Sequence, residues 1–339
     1  MSTHKVSPKI SVIVPLFNRK KFLPQLLSTI EQQSFRDIEL ILVDDGSEDG
    51  TEQWINDNIG AFTVPVIFTR QSNAGPYAAR NAGLLLAKGE YIAFQDSDDE
   101  WPEYHLDSLY KVMSNNSNID WVFGSLVRID HQTREIREHS NLVRNNSKHP
   151  FLELDSKPVK NFEEFSVFSD ERISEFAIKY SVPGSTQCAL IKKKVFEAET
   201  FDESYRTAYD RFFAIRLAML GYTFAYTETT HQIYHIHDEH ISLVAGSSPE
   251  KLKRSAQTMI RGYSSLRGLA KKSSEIKAID ERLAHIYAWE LSMSYQQLRE
   301  YKRAALAMIK AIKHCPRNYL FWRSLVASLL RVITHPIEK

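Results

Sequence analysis

Four short apolar runs in the first hundred residues, spaced by stretches of a different periodicity, constrain this chain most. Residues 10–14 are β-rich and end at Pro15. Residues 38–43 form a second run, closed by Asp44-Asp45-Gly46-Ser47. Residues 65–69 and 91–94 form a third and a fourth. Between the first two, Phe22, Leu23, Leu26, Leu27 and Ile30 recur at helical spacing over residues 20–33. A short helix follows the second run. Residues 75–87 read as another helix, with Pro76 tolerated in its first turn. Strands alternating with helices build βαβ units and a mainly parallel sheet. Such sheets bind ligands beyond the carboxyl ends of their strands. That rule gathers residues 15–18, 44–45 and 96–99 around one crevice. The expected class is α/β, a Rossmann-like sheet with helices on both faces.

Further along, residues 131–180 are polar and weakly periodic, and read as variable loops and short helices. Residues 183–191 resemble a strand. Residues 210–220 resemble a helix ended by Gly221. Residues 223–226 and 232–236 suggest two more strands. From about residue 247 the pattern is helical throughout, so the expected division is a catalytic domain at 1–246 and a helical region at 247–339. Charge divides at the same place. Residues 249–339 hold 18 Lys+Arg against 7 Asp+Glu, whereas the preceding part holds 25 against 35. Different partners for the two parts are implied. Leu291, Tyr295, Ala304, Ala311 and Pro316 fall at offsets resembling one tetratricopeptide repeat. A single repeat makes no solenoid, so a helical hairpin capping the first domain is the plainer reading. Residues 320–333 mix apolar side chains with Arg323 and Arg331. Contact with a membrane surface and docking on neighbouring helices both stand open.

No apolar run reaches the roughly 20 residues that span a bilayer, and residues 1–8 hold no apolar stretch. The expected location is the cytoplasm, or peripherally the inner face of the membrane. Cys188 and Cys315 have no ligand-like spacing and read as reduced thiols. Asn115-Asn116-Ser117 and Asn145-Asn146-Ser147 match the glycosylation pattern but read as loop residues. The basic tail shows no nucleic-acid-binding motif, and anionic lipid or an acidic glycan fits it better.

The segment Phe94-Gln95-Asp96-Ser97-Asp98-Asp99 carries the most chemistry. A strand runs directly into three carboxylates, which repel unless a cation neutralises them. Mg²⁺ or Mn²⁺ commonly takes one or two carboxylates and completes its shell with substrate phosphates. A solvated acidic loop capping the helix near Pro102 is the alternative. Asp44 and Asp45 could accept hydrogen bonds from a base or ribose, although Asp-Gly-Ser is also an ordinary turn.

Taken in order, Ser11-Val12-Ile13-Val14-Pro15-Leu16-Phe17-Asn18-Arg19, Val43-Asp44-Asp45-Gly46-Ser47, Asn73-Ala74-Gly75-Pro76-Tyr77-Ala78-Ala79-Arg80-Asn81 and Asp96-Ser97-Asp98-Asp99 resemble the signature of family 2 glycosyltransferases with the GT-A fold. The resemblance covers about residues 9–243. It implies an inverting, metal-dependent transfer of sugar from a nucleoside-diphosphate sugar, UDP being the commonest nucleotide. Acceptors in the family are glycans or lipid-linked chains.

The resemblance also assigns roles. The turn from Pro15 to Asn18 would pack on the base, with Phe17 as a stacking ring. Asp45 would bind the base, with Asp44 close by. Arg80 and Asn81 would sit near the donor phosphates or sugar, and Arg80 could equally pair with Asp96. Asp96 would bind ribose or sugar hydroxyls. Asp98 would be the main metal ligand, with Asp99 sharing that role and His237 approaching the metal or diphosphate. The acceptor-side motif is usually Glu-Asp before a helix. Here it reads Tyr209-Asp210, a departure that touches acceptor recognition, and Asp210 is the candidate general base. His235, His237 and His240 lack the partners of a zinc site. A Gly-rich phosphate loop after the first strand is absent, which argues against nucleotidyltransferases and dinucleotide oxidoreductases. The rival is an inactive sugar-nucleotide-binding or scaffold protein that works through its helical tail.

Overall fold

The computed structural model describes residues 7–145, 147–237 and 248–334. Residues 238–247, which include the expected domain boundary and the end of the closing His segment, lie outside the described residues, as does the middle residue of the 145–147 glycosylation pattern. The described residues form two compact units. Residues 7–173 and 182–237 make the first, and residues 174–181 and 248–334 the second.

The first unit is built on strands β1 (Ile10–Leu16), β2 (Ile38–Asp44), β3 (Val66–Arg70), β4 (Tyr91–Phe94), β5 (Trp121–Asp130), β6 (Ile136–Glu138), β7 (Val143–Arg144), β8 (Ser147–Lys148), β9 (Ser156–Val159), β10 (Phe162–Phe168), β11 (Ala189–Lys192) and β12 (Phe224–Ile236). Its main sheet runs β3-β2-β1-β4-β11-β5-β12-β10-β9, with β6 on β5; β7 and β8 form a separate ribbon. The β1, β2, β3 and β4 ladders are parallel. β11 is antiparallel to both its neighbours, and β12 runs parallel to β5. β2 and β4 are buried along their whole length, as expected of strands covered on both faces. Around the sheet lie α1 (Leu23–Glu31), α2 (Thr51–Asn58), α3 (Pro76–Leu86), α4 (His105–Asn115), α6 (Lys193–Ala198) and α7 (Tyr209–Leu220), while α5 (Ile173–Tyr180) belongs almost wholly to the second unit. The α3 helix lies so close to β1 that a Cβ on Gly83 would come within 2.4 Å of Ile13 Cγ2. Glycine sets the depth of that packing.

Three expectations change. The strand expected at 183–191 begins only at Ala189. Residues 186–188 form a 3₁₀ turn whose first free amide, that of Gln187, donates to Ser185 Oγ at 3.2 Å. The two expected strands at 223–226 and 232–236 are one, β12, whose register slips between Tyr226 and Gln232 and breaks the alternation there. The polar stretch 131–180 also holds β9 and β10, which extend the sheet.

The second unit is helical: α5, α8 (Pro249–Leu266), α9 (Ser273–His285), a π-helical turn at residues 286–291, α10 (Ser292–Gln297), α11 (Tyr301–His314) and α12 (Tyr319–Thr334). Ser248 caps α8, accepting the amide of Lys251 at 3.3 Å. Ala284, Ala288, Met308, Ala311, Ile312 and Phe321 form its core. Ser292 Oγ donates to the Ala304 carbonyl at 3.1 Å, a close approach that small side chains permit. Ser174 of α5 hydrogen-bonds Glu275 of α9. No described helix is long and apolar enough to cross a membrane.

Candidate active site

The turn after β4 aims its three carboxylates in three directions. The amide of Gln95 donates to the Ile13 carbonyl at 3.1 Å, and Gln95 Nε2 donates to the Asp99 carbonyl at 2.9 Å. The turn is thereby tied to β1. Asp96 faces α3: its Oδ1 accepts from Arg80 Nη2 at 3.0 Å and its Oδ2 from Gln187 Nε2 at 2.8 Å. Asp98 faces His237, whose Nε2 lies 3.2 Å from Oδ2, and Arg19, whose Nη2 lies 3.8 Å away. Asp99 faces β12, accepting the amide of His235 at 3.0 Å and Gln232 Nε2 at 2.6 Å.

Their protonation diverges accordingly. Burial pushes Asp98 up, but the His237 contact and the Arg19 charge outweigh it, and the group sits below the ordinary carboxylate range. Burial holds Asp96 above that range, with Arg80 opposing the shift. Asp99 is pushed well above it by burial and by the charges of Asp98 and Asp96.

Arg80 is the buried centre of a cluster that joins β4 to α7. Besides Asp96, its Nη1 donates to Asp210 Oδ1 at 2.6 Å. Tyr77, Phe94 and Phe201 ring the guanidinium at 5.5–5.8 Å. Burial opposes its charge, yet Asp210 and Asp96 more than compensate and Arg80 stays cationic. Asp210 lies in the first turn of α7. Tyr77 Oη donates to Asp210 Oδ2 at 3.2 Å and accepts the amide of Tyr209 at 2.8 Å. Tyr209, at the departing motif position, is buried, with its ring against Tyr77 and Tyr205. Asn81 is tied to the segment before α7. Its amide donates to the Phe201 carbonyl at 2.8 Å and to Glu203 at 3.0 Å, and its Oδ1 accepts the Phe201 amide at 3.2 Å.

At the ends of β1 and β2, Asp44 is fully buried. It caps its own turn by accepting the Ser47 amide at 3.1 Å, and it faces Arg70 at 3.5 Å. Asp45 accepts from Gln71 Nε2 and the Ala74 amide at 2.8 Å on Oδ1, and from the Gly75 amide at 2.7 Å on Oδ2. It shapes the loop before α3, where Gly75 takes a φ of +100°. Asn18, at φ 53°, donates its amide to Ser47 Oγ at 2.8 Å, while its side chain accepts the Glu48 amide at 2.9 Å. Pro15 pairs with Val43 inside the sheet, and Phe17 is exposed. A cavity of about 740 Å³ opens beside Asn18, bordered by Lys20, Lys21, Glu48, Asp49 and Trp54. Asp96, Asp98 and Asp99 are not among the residues that line it.

Next to Asp98 stands a polar cluster that sequence reasoning did not single out. Glu100 binds His235 Nε2 at 2.7 Å, Arg134 Nη1 at 2.5 Å and Gln25 Nε2 at 2.8 Å. These partners hold it down at about 2, the His235 bond contributing most. Arg19, Tyr77 and Gln187 were likewise given no role, because nothing in the linear order places them beside Asp98, Asp210 and Asp96.

Among the described residues no three His, Cys, Asp or Glu side chains converge on one metal position. Two nevertheless fit a divalent cation with open positions: the Asp98 carboxylate and the His237 imidazole, an O,N pair suited to Mn²⁺ that a diphosphate would complete. Each oxygen of Asp99 already accepts one hydrogen bond from β12.

A family model described as glycosyl transferase family 2 matches residues 11–197. An uncharacterized glycosyltransferase of Haemophilus influenzae is 46% identical over 92 residues, 27% of this chain and 37% of the relative. The GalNAc(5)-diNAcBac-PP-undecaprenol beta-1,3-glucosyltransferase of Campylobacter jejuni is 31% identical over 199 residues, 58% of this chain and 56% of the relative. The matched stretches thus span between about a third and a little over half of these relatives' own length. Among solved structures, S. aureus TarS 1–349 in complex with UDP-GlcNAc has a TM-score of 0.62 at 18% identity, covering 96% of this chain and 88% of that one. The mannosyltransferase PcManGT of Pyrobaculum calidifontis, in complex with GDP-Man and Mn²⁺, has a TM-score of 0.55 at 18% identity, covering 98% and 88%. These likenesses establish the fold as GT-A.

Proposed function

The chain belongs to glycosyl transferase family 2, and we propose that it transfers a glycosyl group, with inversion, from a nucleoside-diphosphate sugar to an acceptor hydroxyl. One observation carries this reading. Arg80 joins Asp96, at the end of β4, to Asp210, at the start of α7. On this reading a donor-side and an acceptor-side carboxylate share one buried cation.

In the proposed reaction the acceptor oxygen attacks the anomeric carbon. Its proton passes to Asp210, which is partly exposed and keeps a lone pair on Oδ2 beside the bond from Tyr77. The bond from the anomeric carbon to the diphosphate oxygen breaks, and the electron pair leaves as nucleoside diphosphate. Asp96 holds a donor hydroxyl, Phe17 stacks on the base, and Asp45 orders the wall against which the base sits. Asn18 and Asp44 set the two turns, and Asn81 holds the acceptor-side loop. A divalent cation at Asp98 and His237 would neutralise charge on the diphosphate. TarS bound to UDP-GlcNAc and PcManGT bound to GDP-Man and Mn²⁺ support this class of donor and cation. A UDP-sugar is the first donor to try. The C. jejuni relative is named for an undecaprenol-linked acceptor, which supports a glycan or lipid-linked acceptor here and work in polysaccharide assembly.

The test is calorimetric titration of UDP, GDP, CDP and dTDP with and without Mn²⁺. Metal-dependent binding of one nucleotide, lost in Asp98→Ala, supports the reading. A folded protein that binds none of them would overturn it and favour a scaffold role for the helical unit.

A further inference from the structure

We propose that the outer face of α12 lies on an anionic phospholipid surface. The helix has two apolar faces where a docked helix needs one. Phe321 is buried, and Leu325 is partly buried against the core of the helical unit. Roughly a third of a turn away run Tyr319, Trp322, Val326, Leu329, Leu330 and Ile333. They recur at spacings of three and four residues, and each is 45–74% exposed. At about 100° per residue these six occupy one arc of the helix. Arg323 stands just beside it and Arg331 a further quarter-turn round. Such a face has the form of an interfacial helix, with an aromatic and aliphatic stripe bordered by arginines. It lies on a bilayer and does not cross it, since no described helix is long and apolar enough to span.

Charge selects the occupant. From Tyr301 to Thr334, across α11 and α12, there are seven Lys or Arg residues and no Asp or Glu. A two-fold interface between copies of this helix would set Arg323 and Arg331 against their own kind with no carboxylate to answer them. Anionic headgroups answer both arginines, and acyl chains accept the apolar arc. The exposed arc and the charge bias are separate observations that point to one surface.

The experiment is co-sedimentation of the full chain with vesicles of 30% phosphatidylglycerol in phosphatidylcholine, and with pure phosphatidylcholine, at about 0.1 M and 0.5 M salt, conditions that separate screened from unscreened charge. The expected result is binding to the anionic vesicles alone, weakened severalfold by the higher salt. Val326→Glu/Leu330→Glu should reduce the bound fraction at least tenfold. Arg317→Gln/Arg323→Gln, at one exposed arginine in the turn before α12 and one on α12 itself, replaces no apolar side chain and should weaken binding severalfold with an unchanged thermal midpoint. That pair keeps the test decisive if the glutamate variant misfolds. No binding to anionic vesicles overturns the proposal, as does binding that ignores both variants. A concentration-dependent dimer abolished by Val326→Glu/Leu330→Glu also overturns it and assigns the face to a second copy. Nucleotide binding is read separately, so failure here leaves the donor site untouched.

Discussion

Replacing Arg80 by Met should destabilise the sheet unit by about 3 kcal/mol at neutral pH, the lower end of what an orphaned buried charge costs. The guanidinium sits 2.6 Å from Asp210 and 3.0 Å from Asp96. With charge centres about 4 Å apart and an effective dielectric near 20, each attraction is worth about 4 kcal/mol. Desolvation of the guanidinium, 5% exposed, cancels several kcal/mol of that sum. The two carboxylates keep 30% and 32% of their side-chain surface in water, which moderates what they lose when abandoned. Methionine retains much of the stem's packing among Tyr77, Phe94 and Phe201, so the loss reports charge. The assay is urea denaturation of wild type, Arg80→Met, Asp210→Asn and Arg80→Met/Asp210→Asn at pH 7.5. Coupling between the two sites should reach about 1–2 kcal/mol, because the double variant no longer strands Asp210. A single-variant loss below about 1 kcal/mol, or strict additivity in the cycle, would refute the account of Arg80 as the cation that holds both carboxylates.

Asp210→Asn should lower turnover by about 10²–10⁴ and leave nucleotide affinity nearly unchanged, with single-turnover rates and calorimetry as the two readouts. Retention of more than about a tenth of wild-type turnover removes Asp210 as the base. Glu100 is held at about 2 against an ordinary 4.5. Its folded pKa is depressed, so its stabilising effect is present above pH 4.5 and is lost as pH falls toward 2. Discounted for the solvent that screens a partly exposed group, that is about 1 kcal/mol. Glu100→Gln should therefore be less stable than wild type at pH 7 and indistinguishable near pH 2; an equal gap at both pH values rejects the linkage. Burial pushes the Cys188 thiol up to about 12. A thiol reagent at pH 8 should leave it unmodified in the folded protein and label it in denaturant, whereas rapid native labelling contradicts its burial.

The strands that carry the site are those whose burial on both faces writes a continuous apolar run, and β1, β2 and β4 were legible for that reason. The α3 and α7 helices were legible too, each marked at one end by Gly75-Pro76 or Gly221. The reading passed over β5, the strand between β11 and β12, because Gly124, Ser125 and Arg128 interrupt its apolar residues. Gly124 is required there by the His231 ring, whose Cδ2 would lie 2.2 Å from an added Cβ. That demand comes from a residue more than a hundred positions away. The site divides in the same way. Asp96, Asp98 and Asp210 were recoverable as residues, and Arg80 as a partner of Asp96, but the second bond of Arg80 to Asp210 and the contacts of Arg19 with Asp98 and of Gln187 with Asp96 were not. Those contacts join residues about 80 to 130 positions apart, and pairings of that range leave no mark on local spacing. The separation of Asp98 from Asp99 depends on Gln232 and the His235 amide, and so on the irregular register of β12.

The path of the chain between its two units has a practical consequence. It leaves the sheet unit at residue 173, supplies α5 to the helical unit, returns at 182, and leaves again after 237. The sheet unit is therefore no prefix of the gene, and a stop codon in the 238–247 stretch would remove α9 while leaving α5 behind. Ala177 and Ile178, now buried, would then face water, and Ser174 and Lys179 would lose Glu275 and Glu281. Producing the sheet unit alone calls for two edits: the truncation, and either polar replacement of that apolar pair or a short flexible bridge from 173 to 182. Deletion phenotypes made by truncation alone would report an exposed helix together with the missing region.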